Sequence, residues 1–162
     1  DCPTLKCKVC GDESTCAFRK FYSYSEAVVP EGKTEVGNNA YFRGMYNLKK
    51  VTLPSTITTI NSYAFKECTS LITVNIPSGV TVIKDGTFEG CTSLPSITLP
   101  SSVTSISANA FKNCSSLTSI TYGGTKAAWL SATNGVDWHS GVPESCRITC
   151  SDGVLDLNGN EV

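Results

Sequence analysis

The sequence predicts a solenoid, a stack of near-identical turns closed by a cap at each end. Three observations predict it. Phe42, Phe65, Phe88 and Phe111 recur at intervals of 23 residues, and Leu48, Leu71, Leu94 and Leu117 keep the same step. Val51, Val74, Ile97 and Ile120 form a further apolar register, followed by Leu53, Ile76, Leu99 and Tyr122. Pro54, Pro77 and Pro100 then punctuate each copy, before Ile57, Val80 and Val103 and then Ile60, Ile83 and Ile106. Self-similarity at a fixed period of this length marks a repeat architecture, in which each unit buries its apolar side only against its neighbours.

The totals limit function before any motif is read. With 162 residues, the chain is long enough for one domain with a sizeable core. Thirteen basic side chains nearly cancel fourteen acidic ones, which leaves no electrostatic footprint for nucleic acid or an anionic membrane. No apolar run approaches a membrane span, so direct insertion is not expected. The chain starts at Asp1 rather than Met, which reads as a mature or trimmed product, and its close after Asn158-Gly159 reads as the end of a piece of something longer.

Taken in order, residues 1–16 read as a cysteine-rich N-terminal cap. They hold Cys2, Cys7, Cys10 and Cys16 but too few apolar residues to bury a core, so cross-links must hold the segment. Cys7-Lys8-Val9-Cys10-Gly11 has the form of a zinc knuckle, yet Cys2 and Cys16 do not supply the second closely spaced pair that a structural zinc site uses. Two disulfides, and no metal or other cofactor, are the expectation, with the connectivity open.

Residues 17–122 read as four to five repeats. The first is disguised: Ala17-Phe18 matches Ala64-Phe65, and Ala27, Val29, Pro30 and Val36 lie 24 residues before Val51, Leu53, Pro54 and Ile60. The extra residue falls near Asn38-Asn39, where a turn tolerates insertion. Within a unit, Leu71-x-x-Val74-x-Ile76-Pro77 predicts a short strand with Val74 and Ile76 inward, ended by a proline that has no N–H to give. Ala64-Phe65-x-x-Cys68-x-x-Leu71 spaces its apolar groups as in a short helical turn. Cys68, Cys91 and Cys114 share one register and read as buried small apolar residues.

The combined pattern, Leu-x-x-Val-x-Ile-Pro through Ala-Phe-x-x-Cys-x-x-Leu, resembles the BspA-like class of leucine-rich repeats from about Ala17 to Tyr122. The resemblance implies an arc-shaped leucine-rich repeat solenoid, with short parallel strands on the concave side and irregular or short helical turns on the convex side. It also implies a secreted or cell-surface protein of a microbe, acting in adhesion by binding host matrix or cell-surface proteins. The cysteine-rich N-terminal segment departs from the usual family pattern.

Residues 123–162 leave the period and read as a C-terminal cap. Gly123-Gly124 stands where the proline is expected and breaks the stack. Thr125 can cap a short helix over Lys126-Ala127-Ala128-Trp129-Leu130, with Trp129 covering the last repeat. The phrase from Tyr122 to Trp129 is again similar to C-terminal caps of that family. Ile148-Thr149-Cys150-Ser151-Asp152-Gly153-Val154-Leu155 predicts two strands joined at Ser-Asp-Gly. Cys146 and Cys150 are disulfide candidates only if the segment between them turns, because an extended strand would part their Cα atoms by about 13 Å.

Catalysis has little to work with. His139 is the one histidine, and a dyad with Cys146 or Cys150 is the only arrangement to weigh; both cysteines read better as cap staples. The predicted binding positions are the outward strand residues Lys50 and Thr52, Thr73 and Asn75, Ser96 and Thr98, and Ser119 and Thr121. They make two small, polar, almost uncharged columns on the concave face. Such a surface suits a protein or a glycan, against a plain solvated sheet face, a spacer with no ligand of its own, or an ice-binding row that Lys50 and Asn75 interrupt. Asn113-Cys114-Ser115 fits a glycosylation sequon, but its cysteine belongs to the repeat.

Overall fold

In the computed structural model the described residues are 7–8 (backbone only), 25–37, 42–132 and 135–162. Along them run β1 (Cys7–Lys8), β2 (Glu26–Val28), β3 (Glu35–Val36), β4 (Lys50–Thr52), β5 (Thr59–Ile60), β6 (Thr73–Val74), β7 (Val82–Ile83), β8 (Ser96–Leu99), β9 (Ser105–Ile106) and β10 (Ser119–Tyr122). The helix α1 (Lys126–Ala132) and strands β11 (Arg147–Cys150) and β12 (Gly153–Leu155) follow. The chain winds as a parallel solenoid. One strand column has the orders β1-β2-β4-β6 and β8-β10-β11-β12; a second pairs β3 with β5 and β7 with β9. Every pair is parallel except β11 with β12.

The registers follow the apolar pattern. Ala27 lies opposite Val51, which verifies the 24-residue offset of the first repeat, while Val51 opposite Val74 and Ile97 opposite Ile120 keep the 23-residue step. Cys7 lies opposite Ala27, so the N-terminal cap adds a strand to the column. Cys2, Cys10 and Cys16, and with them the expected N-terminal disulfides, lie outside the described residues.

Inside, the repeat registers become ladders. The rings of Phe42, Phe65, Phe88 and Phe111 stack with centroids 5.2, 5.4 and 5.5 Å apart. Cys68, Cys91 and Cys114 are fully buried beside them. Each thiol donates to the phenylalanine carbonyl of the preceding turn: Cys68 to Phe42 at 2.9 Å, Cys91 to Phe65 at 3.2 Å and Cys114 to Phe88 at 3.1 Å. Burial pushes the Cys68 and Cys114 thiols up to about 12, which keeps the proton in place for that bond. The cysteine register therefore does more than fill space: it gives a carbonyl between turns a buried donor. Thr87, at the position of Ala64 and Ala110, is also buried, and its hydroxyl donates to Lys84 O.

The convex segments are successive β-turns rather than helical turns. Ala64 N–H donates to Asn61 O, Lys66 to Tyr63 O and Cys68 to Phe65 O, each a three-residue closure. Left-handed backbone recurs at Tyr63, Gly86 and Asn109 and again at Glu67, Gly90 and Asn113, which ends any helix before it starts. Between turns, Phe65 N–H reaches Thr87 O and Phe88 N–H reaches Ala110 O, so this side forms its own continuous ladder.

Both strand columns are interrupted beside the same turn. β6 does not pair with β8, and β5 does not pair with β7. Pro95 sits where Lys49, Ile72 and Thr118 use their N–H to bond the previous turn, and proline has none to give. Asn75 shortens β6 from the other side: its carboxamide donates to Leu53 O and accepts from Leu53 N–H, both at 2.7 Å, in place of main-chain rungs.

At the C-terminus the stack does not end at Gly123-Gly124. Helix α1 forms as predicted, with Thr125 Oγ1 accepting from Ala128 N–H at 3.2 Å and Asp152 Oδ1 from Lys126 N–H at 2.7 Å. The helix is a detour, and residues 135–150 then make another turn of the solenoid. Gly135 N–H donates to Ile106 O, Phe111 to Trp138 O, Asn113 to Ser140 O and Arg147 to Thr118 O. Asp137 and Gly141 repeat the left-handed positions of Asn109 and Asn113. Gly135 is required there, because a Cβ would stand 2.3 Å from the Ser107 carbonyl carbon. Trp138 closes the phenylalanine stack edge-on at 6.1 Å from Phe111, and Trp129 packs edge-on against both Trp138 and Tyr122. β12 turns back antiparallel as predicted.

Cys146 and Cys150 are separate free thiols, both buried, not a C-terminal staple. Arg147 to Cys150 is strand, so no turn brings the two together, and each is absorbed into the apolar interior instead.

Candidate binding face

The strand column presents its alternate residues to solvent because the intervening ones are core. In β4, Lys50 and Thr52 are exposed around buried Val51; in β8, Ser96 and Thr98 flank Ile97; in β10, Ser119 and Thr121 flank Ile120. Parallel pairing in register brings these residues into columns, Ser96 beside Ser119 and Thr98 beside Thr121. Thr73 continues the first column beside Lys50. Seven of the eight positions read from the sequence are thus outward strand residues, three on the β4–β6 sheet and four on the β8–β10 sheet.

Asn75 is the exception. The residue is exposed, but both ends of its carboxamide are held by Leu53, so it works as part of the turn-to-turn bonding rather than as a contact for a partner. The periodicity marks Asn75 as outward and is blind to where a flexible amide folds back.

Other residues join the face that the sequence pattern did not assign to it. Glu26 and Val28 stand beside Lys50 and Thr52, and Arg147 and Thr149 beside Ser119 and Thr121. Arg147-Ile148-Thr149 carries the same alternation as Ser119-Ile120-Thr121, which was the available signal. The broken period hid it. Arg147 is half-buried, and its Nη1 donates to the Glu144 and Cys146 carbonyls. Ile72, next to Thr73, is an exposed apolar residue.

The convex side is different, since its polar groups answer one another across turns. Lys66 pairs with Glu89 at 3.0 Å, Tyr63 OH donates to Asp85, Asn109 donates to Asp85 at 3.3 Å, and Lys84 donates to Asn61 at 3.0 Å. The Asp85 carboxylate holds the Tyr63 phenol above its usual value. Asn113 of the sequon-like triplet is exposed there, while Cys114 is core.

Among the described residues nothing resembling an activated nucleophile forms around His139. Its ring lies edge-on to Trp138 at 4.5 Å. Burial pushes the Cys146 thiol up to about 11 and raises that of Cys150, the reverse of what a thiolate nucleophile needs. Among the described residues no cluster of His, Cys, Asp or Glu could hold a metal ion. Nor is any described helix long and apolar enough to cross a membrane.

With this geometry in view, comparison with known proteins is informative. The family model described as BspA type leucine rich repeat region matches residues 14–129 in six copies, one or two more than the repeat count read from the sequence. The chain is similar to a leucine rich cell surface protein from Faecalibacterium prausnitzii, with 24% identity and a TM-score of 0.60 over 80% of this chain and 33% of that one. A leucine rich repeat protein of T. pallidum gives 27% identity and a TM-score of 0.56, over 78% of this chain and 52% of that one. One from Eubacterium ventriosum gives 21% and 0.53, over 92% and 41%. The chain therefore spans about a third to a half of the structures it resembles. Among curated proteins none matches it.

Proposed function

Because this chain belongs to the BspA-type leucine-rich repeat family, we propose that it is a non-catalytic binding module, secreted or on a cell surface, whose strand face holds a protein partner in adhesion. Leucine-rich repeat proteins generally bind proteins, and one relative is described as a cell surface protein. A single observation carries the reading. The strand face sets its exposed side chains in parallel columns open to solvent, whereas the convex side uses its polar groups on itself. Extended concave surfaces are the contact areas of solenoids. The interruption between β6 and β8 breaks the rows that an ice-binding plane would need.

The experiment changes Thr52, Thr98, Thr121 and Thr149 together to glutamate and measures capture of extracellular-matrix and cell-surface proteins. Loss of capture with an unchanged circular dichroism spectrum supports the face. Undiminished capture moves the site elsewhere. The rival reading, a spacer that displays another part of a larger protein, draws on the short span of the chain relative to its structural neighbours. A screen in which no matrix protein, cell or glycan is retained by the unmodified chain supports it.

A further inference from the structure

We infer that the partner of this face is an extended acidic protein segment laid across the strands. The inference rests on the binding-face reading above and adds the partner's chemistry. The chain as a whole carries one net negative charge, yet the strand face does not share that balance. Lys50 lies on it at β4, with exposed Lys49 preceding it, and Arg147 lies on it at β11. The one carboxylate that the strand registers place there is Glu26, beside Lys50 at the N-terminal edge. Between these basic ends, the outward residues of β6, β8 and β10 are serine or threonine and carry no charge.

Near the basic end Asp156 and Asp152 already accept hydrogen bonds, Asp156 also feels the Arg147 charge, and exposed Glu144 lies three residues before Arg147. Asp156 accepts from Asn158 N–H, Asn160 N–H and the Asn160 side chain, and Asp152 accepts from Lys126 N–H. Arg147 is held by two carbonyls through Nη1, and although its charge already reaches Asp156, its other guanidinium nitrogens keep N–H groups that a partner's carboxylate can use.

Spacing gives the partner a length. From β4 to β11 the face crosses three paired inter-strand steps and the unpaired gap between β6 and β8, about 19 Å if each is ~4.8 Å. An extended peptide covers that distance with about six residues. Its terminal carboxylates would meet Lys49 and Lys50 at one end and Arg147 at the other, while its amides meet the hydroxyls between. The described face has no aromatic side chain on which a sugar ring could pack, which favours a peptide over a glycan.

The test uses fluorescently labelled ten-residue peptides of alternating Glu and Ser, Gln and Ser, or Lys and Ser, with a sulfated oligosaccharide as the fourth probe. Fluorescence anisotropy on the full chain reads the affinity. The acidic peptide is expected to bind best, to weaken in 0.5 M salt as screening shortens, and to lose about tenfold in affinity with Arg147→Gln and again with Lys49→Gln/Lys50→Gln. Equal binding of the three peptides, indifference to both variants, or preference for the sulfated oligosaccharide would overturn it. If acidic peptide fails while the glutamate variants at Thr98 and Thr121 still abolish capture of a matrix protein, the partner chemistry is wrong and the face stands. If both fail, the face itself is wrong.

Discussion

Phe88→Ala tests the interior at its centre. The ring is fully buried between Phe65 at 5.4 Å and Phe111 at 5.5 Å, and its own carbonyl accepts the Cys114 thiol. Truncation removes the transfer free energy of the side chain and leaves a cavity, for about 3–5 kcal/mol. The two stacked contacts are part of that loss, at about 0.5–1.5 kcal/mol each beyond area. In a solenoid each turn touches only its neighbours, so the same change also weakens the coupling between the turns on either side. Two probes separate these effects in a urea melt. Both tryptophans, Trp129 and Trp138, lie at the C-terminal end, so their fluorescence follows that end alone, while far-ultraviolet circular dichroism follows the whole. Coincident transitions displaced by the stated amount mean that the stack unfolds as one unit. Separated transitions mean that the cavity has cut it. A loss below about 1 kcal/mol with both probes would refute the assignment of Phe88 to a continuous packed column.

Three further outcomes follow from other features. Asn75→Ala removes two hydrogen bonds to Leu53, each worth about 0.5–1.5 kcal/mol; a melt shows a loss of about 1–3 kcal/mol, and no loss would return Asn75 to the set of free face residues. Gly135→Ala drives a Cβ into the Ser107 backbone, so the tryptophan fluorescence of the C-terminal turn shifts toward that of exposed indole, and an unchanged spectrum would mean that the turn is not docked as described. The Cys68 and Cys114 thiols, raised from 9.0 to about 12 by burial, favour the folded state below pH 9. That contribution is lost as pH rises from about 9 toward 12, because only the unfolded chain ionises there. Midpoints in urea at pH 8 and pH 10.5 check the sign: a Cys68→Ala/Cys114→Ala variant loses less stability than the parent over that interval, and an equal loss would show that the thiols do not contribute.

Much of this molecule was legible because a repeat states its core several times. Four phenylalanines and four leucines at one step define an inward face that no single copy could, and the disguised first repeat yields to the same alignment. Three kinds of information escaped it. The spacing at Ala64-Phe65-x-x-Cys68 suits a short helical turn, but the chain makes irregular β-turns there, because apolar periodicity does not report the sign of φ at Tyr63 and Glu67. The C-terminal turn was hidden because α1 inserts into it and lengthens the step, although the alternation in Arg147-Ile148-Thr149 survives. Asn75 kept its outward register while its amide turned back to Leu53, a choice made by a few torsions and not by hydrophobicity.

The missing rungs beside β6 and β7 have a mechanical meaning. That turn is tied by its strand to the turn before it, through β4, and by its second strand to the turn after it, through β9. Its other two edges are free of ladder pairing, while the phenylalanine column and the convex bonds run through without a break. A rod with one thinned flange bends where the flange is thin. Here the unbroken spine lies on the convex side and the β6–β8 gap lies in the middle of the strand face. Pro95 withholds the N–H that would tie β8 to that turn, so the continuity of the stack there rests on the phenylalanine column and the convex bonds.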